Sequence, residues 1–332
     1  GRRGMSGFCI PKRNVQILMS TFPKHIPMGA DEMALPNLSV GQVQSILPEV
    51  SDIEELDRGG QKVVFTGIVD GRKYALKFMS PNPSSASTEE SDSLDDVTSR
   101  AQREVETMQQ CSTPHLVRMG PIGLGTAVVN GASIIYFSEE FVEGKNLRAY
   151  QKECGNFSSH KLIKLARHIS EAIDAIWKFS KIHRDIKPGN IMRRDDNGEF
   201  VLLDMGLVFD LQDESLSVCP VGTPLYFSPE QMDFNNRRTM MNFRSDLFSL
   251  GTVMYELATG KHPFVASAST TWDVLGNIVN LHPPPPIDIC PSLAQPVNDI
   301  IMRLLAKRPS LRYRSISLFQ RALREAEEDG GE

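Results

Sequence analysis

The chain has no apolar run near the roughly 20 residues that a membrane-spanning helix requires. An Arg2-Arg3 pair near its start could open a twin-arginine export signal, but no long apolar stretch succeeds it, and Lys12, Arg13 and Lys24 interrupt what there is. A loose terminus is the better expectation. It is also poor in cysteine: Cys9, Cys111, Cys154, Cys219 and Cys290 are scattered, with no CxxC pair or other metal-ligand spacing. An odd number of widely spaced thiols suits reduced, mostly buried cysteines, so a cytoplasmic location is expected. Nor is there an excess of basic residues, since 36 Lys+Arg against 41 Asp+Glu leave a formal charge of -5. That balance argues against nucleic acid or an anionic membrane as partner. No repeat at solenoid or propeller period is present. What remains is ordinary globular composition: 332 residues, 40% hydrophobic and 23% charged, enough for a sizeable core.

Residues 1–50 read as an N-terminal extension, packed against or hanging from a domain that begins near Ser51. Its one helical candidate runs from Ser39, as N-cap, to Leu47, with Pro48 as the stop. From residue 51 the pattern becomes strand-like. Residues 62–66 and 74–78 flank Asp70-Gly71, a favoured hairpin turn. Residues 80–99 are rich in Ser, Pro and acid and read as a loop, with the acids of 89–96 as solvated charge or a site of regulatory phosphorylation. A helix through Arg103, Val105 and Met108 is expected next, then strands at 116–123 and 133–141. Beyond Gly144 the apolar spacing turns helical, as in Leu162, Leu165, Ala166, Ile169, Ile173 and Ile176. His282 and the four prolines after it read as a rigid crossing between helices, the competing reading being a polyproline ligand. The architecture expected is α+β, a small β-rich lobe over residues 51–142 and a larger helical lobe over 143–326, with a tail at 327–332.

The segment that carries chemistry is His183-Arg184-Asp185-Ile186-Lys187-Pro188-Gly189-Asn190. It places an acid, a lysine and an amide in one short loop. An acid can orient and deprotonate a hydroxyl, a lysine can neutralise a transferring phosphoryl group, and an amide oxygen can bind a hard cation. A short strand at 200–203 then delivers Asp204-Met205-Gly206, a second oxygen ligand. This ordered pair of motifs resembles the catalytic loop and DFG motif of the eukaryotic-type protein kinase family, both worked examples of phosphoryl-transfer chemistry. The resemblance runs in order from about Ser51 to Ala326 and implies the two-lobed protein kinase fold, with ATP and Mg²⁺ as cofactors.

The resemblance implies roles residue by residue. Asp185 is the catalytic base, Lys187 meets the γ-phosphate, and Asn190 and Asp204 hold magnesium. Lys77 in YALKF matches the lysine that grips the α- and β-phosphates. Counting back from His115-Leu116-Val117 selects Glu104 as its ion-pair partner, with Glu106 as the alternative. The phosphate-cradling GxGxxG is the weakest match: only Gly59 survives in register, with Gly60 beside it, Asp57 adding an acid and Lys62 a compensating cation. Backbone groups of Glu140 and Val142 should meet the adenine edge, between walls of Val64, Ala75 and Met192. Glu139 stands where the family has an apolar or hydroxyl gatekeeper, and should pair with a nearby cation or, if the register slips by one, point away.

Gly222 to Glu230 matches GTxxYxxPE, which shapes a peptide platform, and Lys187-Pro188 is similar to the serine/threonine subgroup. Asp246 matches the acid that braces the catalytic loop, and Arg312 the partner of Glu230. These features imply a protein substrate with Ser or Thr acceptors. The altered glycine loop and Glu139 keep a non-catalytic, nucleotide-binding or scaffolding pseudokinase as the alternative. Small-molecule phosphotransferases lack the platform. Cys219 occupies the usual phosphorylated position, leaving Ser217 or Ser215 as acceptors near Arg184, or Asp213 and Glu214 as permanent negative charge. Oligomeric state is not indicated.

Overall fold

The computed structural model describes residues 37–59, 62–80, 97–211, 224–232, 241–266 and 268–329. Gly60, the loop at 81–96, and Asp213, Glu214, Ser215, Ser217, Cys219, Gly222 and Thr223 therefore lie outside the described residues.

A short helix, α1 (Val40–Ile46), precedes the first strand. Ser39 and Gln42 form a capping box: the Gln42 amide donates to Ser39 Oγ at 3.3 Å, and the Ser39 amide to Gln42 Oε1 at 2.9 Å. Next come five antiparallel strands: β1 (Ser51–Gly59), β2 (Lys62–Val69), β3 (Arg72–Met79), β4 (Gly125–Val129) and β5 (Ala132–Glu140), in the order β1-β2-β3-β5-β4. Between β3 and β4 lies α2 (Val97–Gln110), which takes up 97–99 from the expected loop. Asp70 and Gly71 turn the β2–β3 hairpin in left-handed backbone, φ 49 and 74.

Register decides which face of this sheet does what. Directly opposed residues in antiparallel strands share a face, and alternation sends their neighbours to the other. Val63, Phe65, Leu76, Phe78 and Ile134 pack outward in one cluster with Leu38, Val43 and Leu47. Residues 37–50 are thus packed against the sheet, each buried apolar side chain of α1 contributing on the order of 1.5–3 kcal/mol. Gly67 makes this approach feasible, because a Cβ there would meet Val50 Cγ1 at 2.3 Å. The opposite face carries Val64 beside Lys77, and Ala75 beside Glu139.

The strand expected at 116–123 does not form; the paired strand is β4, further on. Residues 118–122 bond irregularly to β5, with the Gly120 amide to the Ser138 carbonyl and the Ser138 amide to the Ile122 carbonyl. Pro121 has no N–H to give a ladder. Asn130-Gly131, in left-handed backbone at φ 52 and 80, closes the β4–β5 hairpin instead.

The second lobe is helical. It comprises β6 (Gly144–Asn146), α3 (Leu147–Cys154), α4 (Ser159–Trp177), β7 (Lys181–Ile182), β8 (Ile191–Arg194), β9 (Phe200–Leu202) and β10 (Phe209–Asp210), then α5 (Pro229–Met232), α6 (Phe243–Thr259), α7 (Thr271–Asn280), α8 (Pro286–Ile289), α9 (Gln295–Leu304) and α10 (Ile316–Asp329). The α4 helix is capped by Ser158 and buries Leu162, Leu165, Ala166, Ile169, Ile173 and Ile176. It packs against α6 and α10. The prolines after His282 do link α7 to α8, and the Tyr255 hydroxyl donates to the Pro284 carbonyl at 3.0 Å.

Candidate active site

The expected catalytic loop joins β7 to β8. Its backbone is braced from below by Asp246 on α6, whose carboxylate accepts the His183 and Arg184 amides, each at 2.9 Å. Burial holds the Asp246 carboxyl above the usual carboxylate range, against those two bonds and the nearby His183 and Arg184. Arg184 takes left-handed backbone, φ 67, and its Nε donates to the Leu207 carbonyl at 2.8 Å. This geometry turns Asp185 back over the loop. Asp185 Oδ2 accepts from Lys187 Nζ at 2.7 Å and from Asn190 Nδ2 at 2.8 Å. Asp185, Lys187 and Asn190 are therefore one hydrogen-bonded group.

The β8–β9 hairpin delivers the next acid. The Leu203 amide bonds the Asn190 carbonyl at 2.8 Å, so Asp204 leaves the hairpin beside Asn190. Asp204 has left-handed backbone, φ 65, and its Oδ2 lies 2.7 Å from Lys62 Nζ. Burial opposes its charge, but Lys62 and Lys77 outweigh burial and hold the carboxyl below its usual range. Met205 fills the core completely. Gly206 comes next because a Cβ there would meet Glu104 Oε2 at 3.1 Å and Asp204 Oδ1 at 3.3 Å.

Lys77 is almost fully buried, and so are both its partners. Its Nζ lies 2.5 Å from Glu104 Oε1 and 2.7 Å from Glu139 Oε2. Glu104, not Glu106, is the partner from α2; Glu106 faces Gln102 at 3.0 Å instead. Glu139 pairs with a cation and does not point away. Burial works against the Lys77 charge, but Glu104, Glu139 and Asp204 overcome it and hold the ammonium firmly protonated. Burial, with Glu104's like charge, pushes the Glu139 carboxyl up despite Lys77.

Val64, Ala75 and Met192, the expected apolar walls, belong to β2, β3 and β8. The Glu140 amide is committed to the Arg118 carbonyl at 2.8 Å, whereas the Val142 backbone has no hydrogen-bond partner among the described residues. The Glu140 side chain is held by Arg194 at 2.6 Å and Arg118 at 3.1 Å. Gly59 closes β1 with open space around it. Lys62 does not compensate Asp57: exposed Asp57 accepts its neighbour Arg58's amide at 2.9 Å, while Lys62 reaches Asp204. Asp57 lies opposite Val64 beyond a strand irregularity, and Lys62 opposite Met79. The alternation Lys62–Val64, on the strand face that carries Lys77, was the signal for Lys62's direction.

Arg312 and Glu230 are paired as expected, at 2.6 and 2.9 Å. The protein kinase domain model matches residues 50–323. This chain belongs to the protein kinase family. A probable serine/threonine-protein kinase PknB of Corynebacterium glutamicum is 30% identical over 288 residues, 81% of this chain and 41% of its own length. The serine/threonine-protein kinase PknE of Mycobacterium bovis is 29% identical over 260 residues, 77% of this chain and 42% of that protein. A probable PknB of Bifidobacterium longum is 29% identical over 275 residues, 80% and 38% respectively. The chain thus spans about two fifths of the length of these curated relatives. The kinase domain's two-lobed α+β fold is the one the sequence pattern implied.

Proposed function

We propose that this kinase domain transfers the γ-phosphate of ATP to serine or threonine hydroxyls of protein substrates. The observation that carries the reading is the Asp185–Lys187–Asn190 group, joined through one carboxylate oxygen beside Asp204. Asp185 is placed to orient the acceptor hydroxyl and take its proton, while Lys187 keeps that carboxylate ionised and offers charge to the phosphoryl group. Lys77, fixed by Glu104, holds the α- and β-phosphates. The Val142 backbone, between Val64, Ala75 and Met192, receives the adenine edge.

The residues present fit a magnesium ion: Asp204 is kept ionised, and Asn190 turns its amide nitrogen to Asp185, leaving its oxygen for a hard cation. Bound there, magnesium would neutralise developing charge on the phosphate oxygens. The Ser/Thr acceptor class rests on Lys187-Pro188 and on the relatives' names, and the platform before Glu230 supports a protein substrate. Cys111, Cys154 and Cys290 are all free thiols, which supports a reducing, cytoplasmic compartment. Among the described residues, no helix is long and apolar enough to cross a membrane.

One observation favours the pseudokinase reading: Glu139 draws on the same ammonium that should hold phosphate. Labelled ATP, magnesium and a generic protein substrate decide between them. Asp185→Asn should lower transfer by at least about a thousandfold while leaving ATP affinity within about threefold. Wild-type protein that binds ATP without transferring phosphate would establish the pseudokinase.

A further inference from the structure

The glycine-loop side of the site holds a cation that the expected phosphate-binding set omits. Lys62 stands at the last glycine position of GxGxxG, where a side chain would ordinarily be avoided beside phosphates. Its Nζ lies 2.7 Å from Asp204 Oδ2, and both side chains keep about a quarter of their surface exposed, at 27% and 28%. Lys77 is in the opposite situation. An ammonium has three N–H donors. Those of Lys77 face Glu104 at 2.5 Å and Glu139 at 2.7 Å, with all three residues buried.

The charge count sharpens the contrast. Lys77 and Lys62 stand among Glu104, Glu139 and Asp204, two cations against three carboxylates. A triphosphate approaching this group needs cationic donors that are not already shared. Lys77 has one N–H left after its two glutamates; Lys62 has two left after Asp204. Lys62 also acts electrostatically on Glu139 and Asp204, so it stands within the same field as Lys77. Its strand, β2, brings it onto the face that carries Val64 and Lys77, two residues from the expected adenine wall.

We infer that Lys62 is a second phosphate-binding lysine of this kinase domain, taking over charge that Glu139 withdraws from Lys77. The inference rests on the proposed nucleotide site and assigns a substrate contact within it. Lys62 contacts the β- or γ-phosphate oxygens from the lid side, and Lys77 supports from beneath. Glu139 is the positioning residue that makes the second lysine necessary.

Calorimetric titration without magnesium tests this, since it reads binding and not turnover. ATP and adenosine are each titrated into wild type, Lys62→Gln, Lys62→Arg, Glu139→Gln and the Lys62→Gln/Glu139→Gln double variant. Lys62→Gln should weaken ATP by about tenfold or more and leave adenosine within about twofold, because a charge-assisted contact to phosphate is lost and the base site is untouched. Lys62→Arg should retain most of the ATP affinity. In the Glu139→Gln background Lys77 is freed, so Lys62→Gln should cost about threefold or less. An unchanged unfolding midpoint in Lys62→Gln excludes a folding defect. Equal loss of ATP and adenosine in Lys62→Gln, or equal cost in both backgrounds, overturns the inference. Wild type that binds ATP while Lys62→Gln binds it equally well overturns this inference alone. Wild type that binds no ATP overturns the nucleotide site as well.

Discussion

Two buried ion pairs, one in each lobe, are built on opposite principles. In the helical lobe, Arg312 and Glu230 are almost wholly enclosed and meet through two parallel bonds at 2.6 and 2.9 Å. Arg312 also donates to the carbonyls of Ala306, Arg244 and Lys307, and Glu230 accepts from Ser245 Oγ. Charge is balanced one to one and the guanidinium fork is filled. In the β-rich lobe, Lys77 is equally enclosed but faces two carboxylates, and Glu139 Oε2 gains the ion pair without a well-aligned hydrogen bond. The first arrangement is closed to any newcomer. The second carries surplus negative charge and an incompletely satisfied atom, which suits a place where a ligand redistributes charge.

The most damaging way to break that contrast is to open the closed pair. Arg312→Met leaves Glu230 buried and unpaired, so it should destabilise the fold by roughly 3–5 kcal/mol, measured by denaturant unfolding. Adding Glu230→Met should recover much of that loss, because the orphaned charge goes with it. A double variant as unstable as the single one would mean that the pair holds the helical lobe by more than its charges.

The open cluster should answer with the opposite sign. Glu139→Gln removes one of two carboxylates crowded on one ammonium and leaves Lys77 its Glu104 bond. Stability at neutral pH should rise by about 1 kcal/mol, the scale of a relieved like-charge contact in a buried site. A fall in stability would show that Lys77 needs both partners.

Much of this was legible in the sequence. The Asp185, Asn190 and Asp204 group sits on short loops whose motifs are contiguous, so spacing alone brought its members together. Glu104 was selected by counting across a variable stretch, and the structure places it, and not Glu106, against Lys77. Lys62 was harder, because a side chain beside a turn can face either way, and only the β2–β3 register fixes its direction. The strand at 116–123 was misplaced for a related reason. Its apolar residues pair irregularly around Pro121, whereas Asn130-Gly131 carried the hairpin signal that places β4 and β5. Packing of α1 on the outer face was not legible at all, since the helix shows only three or four apolar residues and its partner surface is assembled from three strands.

The smallest effect separates the electrostatic account of Glu139 from a packing account. Burial and Glu104 raise the Glu139 carboxyl above its value in an unfolded chain. Between the unfolded value, about 4.3, and the raised folded value, the folded state binds the extra proton. Stability therefore carries a penalty from Glu139 at neutral pH. That penalty declines as pH falls through the folded value and is gone below about 4.3. Other titrating groups, Asp246 and Asp204 among them, are present in both wild type and Glu139→Gln and largely cancel in the difference. The stability advantage of Glu139→Gln should thus be full at pH 7–8 and shrink steadily as pH is lowered toward about 4.5. Chemical unfolding of both proteins across that range measures the difference directly. An advantage that stays constant with pH would mean that the amide packs better than the carboxylate, and that the surplus charge around Lys77 has no part in it.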